Sequence, residues 1–121
     1  MAEILVIGTP NEDKKPQIQL LDSDGNAITL TDLVGYGIMV YAPDGSLIGK
    51  YGSNLEGFDD TKIEEVDETT FEIHLEGADI PKKTGNITGR TVAKFTDIDF
   101  TAGFRTDYSK TRQTLYTIER V

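Results

Sequence analysis

The chain contains no cysteine, no tryptophan and a single histidine. Without cysteine there is no disulfide framework, no thiolate zinc site, no iron–sulfur cluster and no cysteine nucleophile. The same absence fits folding in a reducing cytoplasm. Long apolar runs are missing too. Ile4-Leu5-Val6-Ile7 near the start is far short of the roughly 20 residues a membrane span needs, and no basic segment or cleavage site of a signal peptide accompanies it. The chain is therefore expected to stay where it is made, without a membrane partner. Positive charge is scarce, with 12 basic against 21 acidic residues and a net charge of −9. Bare nucleic acid would be repelled by that field, so no nucleic-acid partner is expected. The acidity is expected instead to keep a β-rich protein soluble before it assembles, because like charges oppose edge-to-edge pairing.

A sustained helical stripe is also lacking: no segment carries a 3.6-residue apolar period for more than two turns. What is present is an all-β rhythm, with turn signals recurring between short, often alternating segments. A length of 121 residues fits one core, since cores are usually built from about 100 to 150 residues. The N-terminal segment, with a first strand near Ile4 to Ile7 and the polar run Thr9-Pro10-Asn11-Glu12-Asp13-Lys14-Lys15-Pro16, suits an extended arm over residues 1–16. Residues 17–121 then form the sandwich domain.

Gln17-Ile18-Gln19-Leu20 alternates and enters the turn Asp22-Ser23-Asp24-Gly25-Asn26, with Ala27 to Leu30 expected as the return strand. Thr31 to Val34 reads as a loop or one helical turn. Gly37 to Tyr41 reads as a central strand, and Pro43-Asp44-Gly45-Ser46 closes a hairpin onto Leu47 to Tyr51. Thr61 to Val66 is ambiguous and leans to strand. Phe71-Glu72-Ile73-His74-Leu75 alternates, which puts Glu72 and His74 outside. A long segment from about Ile87 to Phe100 changes parity between Phe95 and the pair Ile98 and Phe100. A bulge or bend near Thr96-Asp97 is needed if all three are buried. Arg105 to Gln113 is expected to turn the chain into a last strand from Leu115.

Candidate chemistry is thin. Catalysis needs convergent groups with tuned pKa values, and His74, the one histidine, alternates with core residues and is read as a surface residue. No serine or threonine sits in a Gly-x-Ser-x-Gly elbow. Asp22, Asp24 and Asn26 alternate as calcium-loop ligands do. Counted from Asp22, however, the sixth and twelfth positions hold Ala27 and Leu33 in place of the glycine and glutamate of an EF-hand, so a plain turn is favoured. Asp59-Asp60 and the pair Asp97 and Asp99 are read the same way. Five tyrosines, Tyr36, Tyr41, Tyr51, Tyr108 and Tyr116, either fill the sandwich with their hydroxyls at its rim or, if exposed, stack sugars. Arg105-Thr106-Asp107 is not an integrin-type motif. Asn86-Ile87-Thr88 is a glycosylation sequon only in a secreted eukaryotic chain. No catalytic, cofactor-binding or metal-binding residue is assigned, and no cofactor is expected.

Gln17-Ile18-Gln19-Leu20-Leu21-Asp22-Ser23-Asp24-Gly25-Asn26, Leu33-Val34-Gly35 and Ile38-Met39-Val40-Tyr41-Ala42-Pro43-Asp44-Gly45 together resemble the N-terminal immunoglobulin-like domain of phage upper baseplate proteins. That family reads as strand, Asp-x-x-Gly turn, short apolar return, Leu-x-Gly loop, strand and Pro-Asp-Gly turn. Thr84-Gly85-Asn86-Ile87 loosely matches a later Gly-x-Tyr-like strand entry. The resemblance covers about residues 17–100. It implies an immunoglobulin-like antiparallel β-sandwich of about seven to nine strands, not catalytic, that plugs a fibre or receptor-binding part into a virion. The expectation is therefore a structural protein of a phage tail, baseplate or head fibre, made in the host bacterial cytoplasm and located in the virion. It would assemble as a homo-oligomer, for which threefold symmetry is the expected form on a fibre axis, with another virion protein, by strand addition at a sheet edge and docking of the arm. The alternative is a monomeric glycan- or surface-binding module built on exposed tyrosines.

Overall fold

The tightest local structure follows from Pro43-Asp44-Gly45-Ser46. Gly45 takes φ +87°, a left-handed value that costs glycine nothing. The Asp44 carboxylate accepts the Ser46 amide at 3.0 Å, and the Ala42 amide donates to the Ser46 carbonyl at 2.8 Å. The turn folds β3 (Gly35–Tyr41) back on β4 (Leu47–Ser53), with Ile38 opposite Tyr51.

The computed structural model describes residues 7–8, 13–79, 85–109 and 112–118. Among them are also β1 (Ile7–Gly8), β2 (Gln17–Gln19), β5 (Ile63–Glu65), β6 (Thr70–Ile73), β7 (Gly85–Thr96), β8 (Phe104–Tyr108) and β9 (Gln113–Ile118). One sheet runs β1-β9-β7-β3-β4 with β8 also on β7, and the other runs β2-β6-β5. All pairings are antiparallel except β1 with β9, which is parallel. The small sheet is the B–E–D triplet of an immunoglobulin-like sandwich and the large one its C–F–G triplet, with β4 as an added C′ strand. The chain is an all-β sandwich of that type.

The core lies between the sheets. Ile18, Leu20, Phe71, Ile73 and Leu75 from the small sheet meet Tyr36, Ile38, Val40, Ile87, Leu115 and Tyr116 from the large one, all buried. Burial of each such side chain contributes about 1.5–3 kcal/mol. In place of a disulfide, Tyr36 packs on Phe71 across the gap with ring centres 5.0 Å apart. Gly89 leaves room for Ile38 on the neighbouring strand of the same sheet: a Cβ there would sit 2.4 Å from Ile38 Cδ1.

Three expectations change. Ala27 makes one bridge to Leu21, and the chain then leaves the sheet for a 3-10 turn at Leu30–Asp32. The reason is packing and pairing: Leu30 is buried, and its amide donates to the Glu68 carbonyl at 2.8 Å. β7 stops at Thr96, and Ile98 and Phe100 are exposed, so no bulge is required to bury them. Residues 104–108, expected as part of a turn, form β8. β8 and β9 lie on the same side of β7, and the offset between their registers places two extra residues between them near Ser109. Within the stretch read as an arm, Ile7–Gly8 pair with β9, and Lys14 bonds Leu75 in both directions at 2.8 and 2.9 Å. The rest of that arm, residues 80–84 of the connection before β7 and the last residues of the final strand lie outside the described residues.

Candidate interaction surface

The segment after β2, the turn between β5 and β6, and the β7–β8 hairpin meet at one end of the sandwich. The Leu30 amide on the Glu68 carbonyl and the Val34 amide on the Lys94 carbonyl, both 2.8 Å, tie these three together. In variable immunoglobulin domains, loops at one end of the sandwich carry recognition.

The hairpin tip is an aspartate turn. The Asp97 carboxylate accepts the Asp99 amide at 3.0 Å and the Arg105 guanidinium at 3.1 Å. The Asp97 amide donates to the Gly103 carbonyl at 2.9 Å. This closure leaves Ile98 91% and Phe100 50% exposed, with Phe104 and Tyr108 also exposed on β8. An apolar pair held out at a tip by a polar turn marks an interaction surface more often than a scattered single residue does. Every β8 residue is exposed, and its edge away from β7 has no partner among the described residues.

Beside the hairpin, the sandwich gapes between β8 and the turn after β2. The resulting groove holds about 480 Å³ and is lined by Leu20, Leu21, Ile28, Ala93, Phe95 and Arg105, among others. Arg105 lies over the Phe95 ring at 4.8 Å and bonds Asp107 at 3.2 Å, so its charge is already partnered at the groove wall.

The other residues singled out in the sequence fall as follows. Asp22 spends its carboxylate on the Asp24 and Asn26 amides at 2.9 and 3.0 Å, and Asp59 on the Thr61 amide at 2.8 Å. These are turn acceptors. Hydrogen bonds from Thr61 hold the Asp59 carboxyl below its ordinary pKa, and Asp67 is lowered in the same way, chiefly by the Thr69 amide. Tyr36, Tyr51 and Tyr116 are buried. Tyr41 and Tyr108 reach the outer face, where Arg112 lies 3.7 Å from the Tyr41 ring centre and Arg90 lies 5.2 Å from that of Tyr108. The two rings sit on opposite sides of β7, against Thr88 and Val92, so they do not form one platform. Asn86 and Thr88 lie within β7, with the Asn86 side-chain Oδ1 accepting the Thr117 hydroxyl at 2.9 Å.

His74 stands on the outer face of the small sheet, as its alternation predicts, but its ring is only 34% exposed. It lies beside Glu64 and Glu72, a grouping the sequence reading did not make. The missing step was the pairing of Ile63–Glu65 with Thr70–Ile73, which the ambiguous segment 61–66 left open. The exposed Ile98 and Phe100 were also missed as surface. The signal is their clash of parity with Phe95, which marks the end of the strand at Thr96 and not a bulge or bend that buries all three.

Among the described residues no helix is long and apolar enough to cross a membrane, a statement that leaves β-barrels aside. Comparison with protein-family models, characterised proteins and solved structures produces no match.

Proposed function

We propose that this chain is a non-catalytic assembly domain that works by burying the β7–β8 hairpin against another protein. The observation that carries the reading is the tip itself: Ile98 at 91% and Phe100 at 50% exposure, held outward by the Asp97 turn. Burial of two such side chains supplies a few kcal/mol at the centre of an interface, where hot spots concentrate. The unpaired edge of β8 adds backbone groups that a partner strand can satisfy. The finer reading, a structural component of a phage virion forming a homo-oligomer with a second virion protein, draws on the turn pattern of residues 17–45 and on the acidic charge. The arm enters this reading in reduced form, because Ile7–Gly8 pair with β9, and Lys14 and Pro16 bond Leu75 and Ile73.

Light scattering over a concentration series tests the reading. The expected result is a stable oligomer that Ile98→Asp with Phe100→Asp reduces to monomer. A monomer at every concentration, in wild type and variant alike, overturns self-assembly and directs the search to glycan binding by Tyr41 and Tyr108.

A further inference from the structure

We propose that Glu64, Glu72 and His74 form a binding site for one divalent first-row transition ion, of which zinc is the best match. Glu64 and Glu72 face each other directly across the β5–β6 ladder. His74 follows Glu72 by two residues, and its amide donates to the Lys62 carbonyl at 2.8 Å. The pleat therefore aims all three side chains to the same outer face.

Three observations converge there. His74 Nε2 lies 3.5 Å from a Glu72 carboxylate oxygen and 3.7 Å from a Glu64 oxygen. One ligand atom from each of the three lies within 4.8 Å of the others. Zinc bound to nitrogen and oxygen at about 2.0–2.1 Å in a tetrahedron sets its donors roughly 3.3–3.5 Å apart, so the cluster closes on an ion by movements of a few tenths of an ångström at His74 and Glu72 and somewhat more at Glu64. Second, His74 Nε2 is shielded from solvent and has no hydrogen-bond partner, a costly condition that a ligated ion removes. Third, two like charges directly opposite on a ladder repel each other. Lys62, the residue before β5, is paired instead with Glu76 at 3.9 Å and Asp79 at 3.5 Å. One imidazole and two carboxylates suit zinc and its neighbours better than magnesium or calcium, which prefer all-oxygen shells. Glu64, whose side chain is 65% exposed, keeps the site open for a fourth ligand from water or a partner. The site stands independently of the assembly reading.

Because His74 is the only histidine in the chain, its imidazole nitrogens give unambiguous NMR signals in the untagged wild-type protein. Zinc chloride added to the chelator-treated chain is expected to shift Nε2 far more than Nδ1, saturating at one ion per chain. Calorimetry with zinc is expected to give a micromolar Kd, weakened at least tenfold by His74→Ala or Glu72→Gln and unchanged by Asp59→Asn. An unshifted imidazole at millimolar zinc overturns the site, whatever the variants do. So does zinc binding that His74→Ala leaves intact, or preferential binding of calcium or magnesium.

Discussion

Gly89 is where one carbon atom decides whether β7 leaves room for the buried side chains of Ile38 and Leu115 on its two neighbouring strands. An added Cβ would meet Ile38 Cδ1 at 2.4 Å and Leu115 Cδ1 at 3.3 Å, and Ile38 is fully buried with nowhere to retreat. Gly89→Ala is therefore expected to cost about 1–3 kcal/mol as an overpacked core, read from the urea midpoint. Ile38→Val removes the clashing methyl and alone costs about 0.5–1.5 kcal/mol. The double variant should lose less than the sum of the two, by about 0.5 kcal/mol or more. Strict additivity would mean that the two side chains do not meet. Tyr36 sets a second expectation at this scale. Burial first, and then its bond to Glu65 at 2.8 Å, push its pKa up to about 12. The unfolded chain releases that proton near pH 10, whereas the folded chain keeps it. The folded state then holds more protons than the unfolded one, so stability is level below about pH 10 and falls toward about pH 12. Tyr36→Phe is expected to shrink the drop in urea midpoint between pH 8 and pH 11. An equal drop in both proteins would place the alkaline sensitivity elsewhere, with Tyr51, also raised by burial, as the next residue to change.

The elements differ in how firmly they are held. β3 and β7 lie inside the large sheet with partners on both sides, whereas β8 has one partner and no buried residue. Local opening follows such differences in burial. Hydrogen exchange should therefore show roughly tenfold or lower protection in residues 97–108 than in residues 35–41 and 85–92. Uniform protection would make the hairpin part of the cooperative core. The same contrast explains what the sequence discloses. β3, β4 and β6 are readable because each has its turn chemistry or a clean period of two: Pro43 presets φ and Gly45 accepts the left-handed position that closes the turn, and Phe71, Ile73 and Leu75 can share a face only on a strand. β8 is not readable, since Phe104 to Tyr108 mixes apolar and charged residues on a ribbon with no inner face to pattern it. Ala27 to Leu30 has strand-like residues, yet the Glu68 carbonyl captures Leu30 from 38 positions away in sequence. The candidate surfaces depend on such pairings. Glu64 and Glu72 become neighbours only through the β5–β6 register, and Ile98 becomes surface only because β7 ends at Thr96.

At the scale of the whole molecule, two forces compete over assembly. A net charge of −9 on 121 residues makes every copy repel every other over the Debye length, whereas the apolar tip attracts only on contact. Raising salt from 10 mM to 1 M shortens that length from about 30 Å to about 3 Å. Apolar burial is left intact or strengthened, depending on the salt. If copies meet through Ile98 and Phe100, the association constant measured by sedimentation should rise with sodium chloride, and the Ile98→Asp, Phe100→Asp protein should stay monomeric throughout. Association that weakens with salt would point instead to ionic contacts. The candidate would then be the outer face of the large sheet, where Lys50, Arg90, Lys94 and Arg112 each lie over an aromatic ring, set against the acidic face of another copy. The sign of one salt dependence thus separates an apolar contact at the hairpin from a charged contact across the sheets.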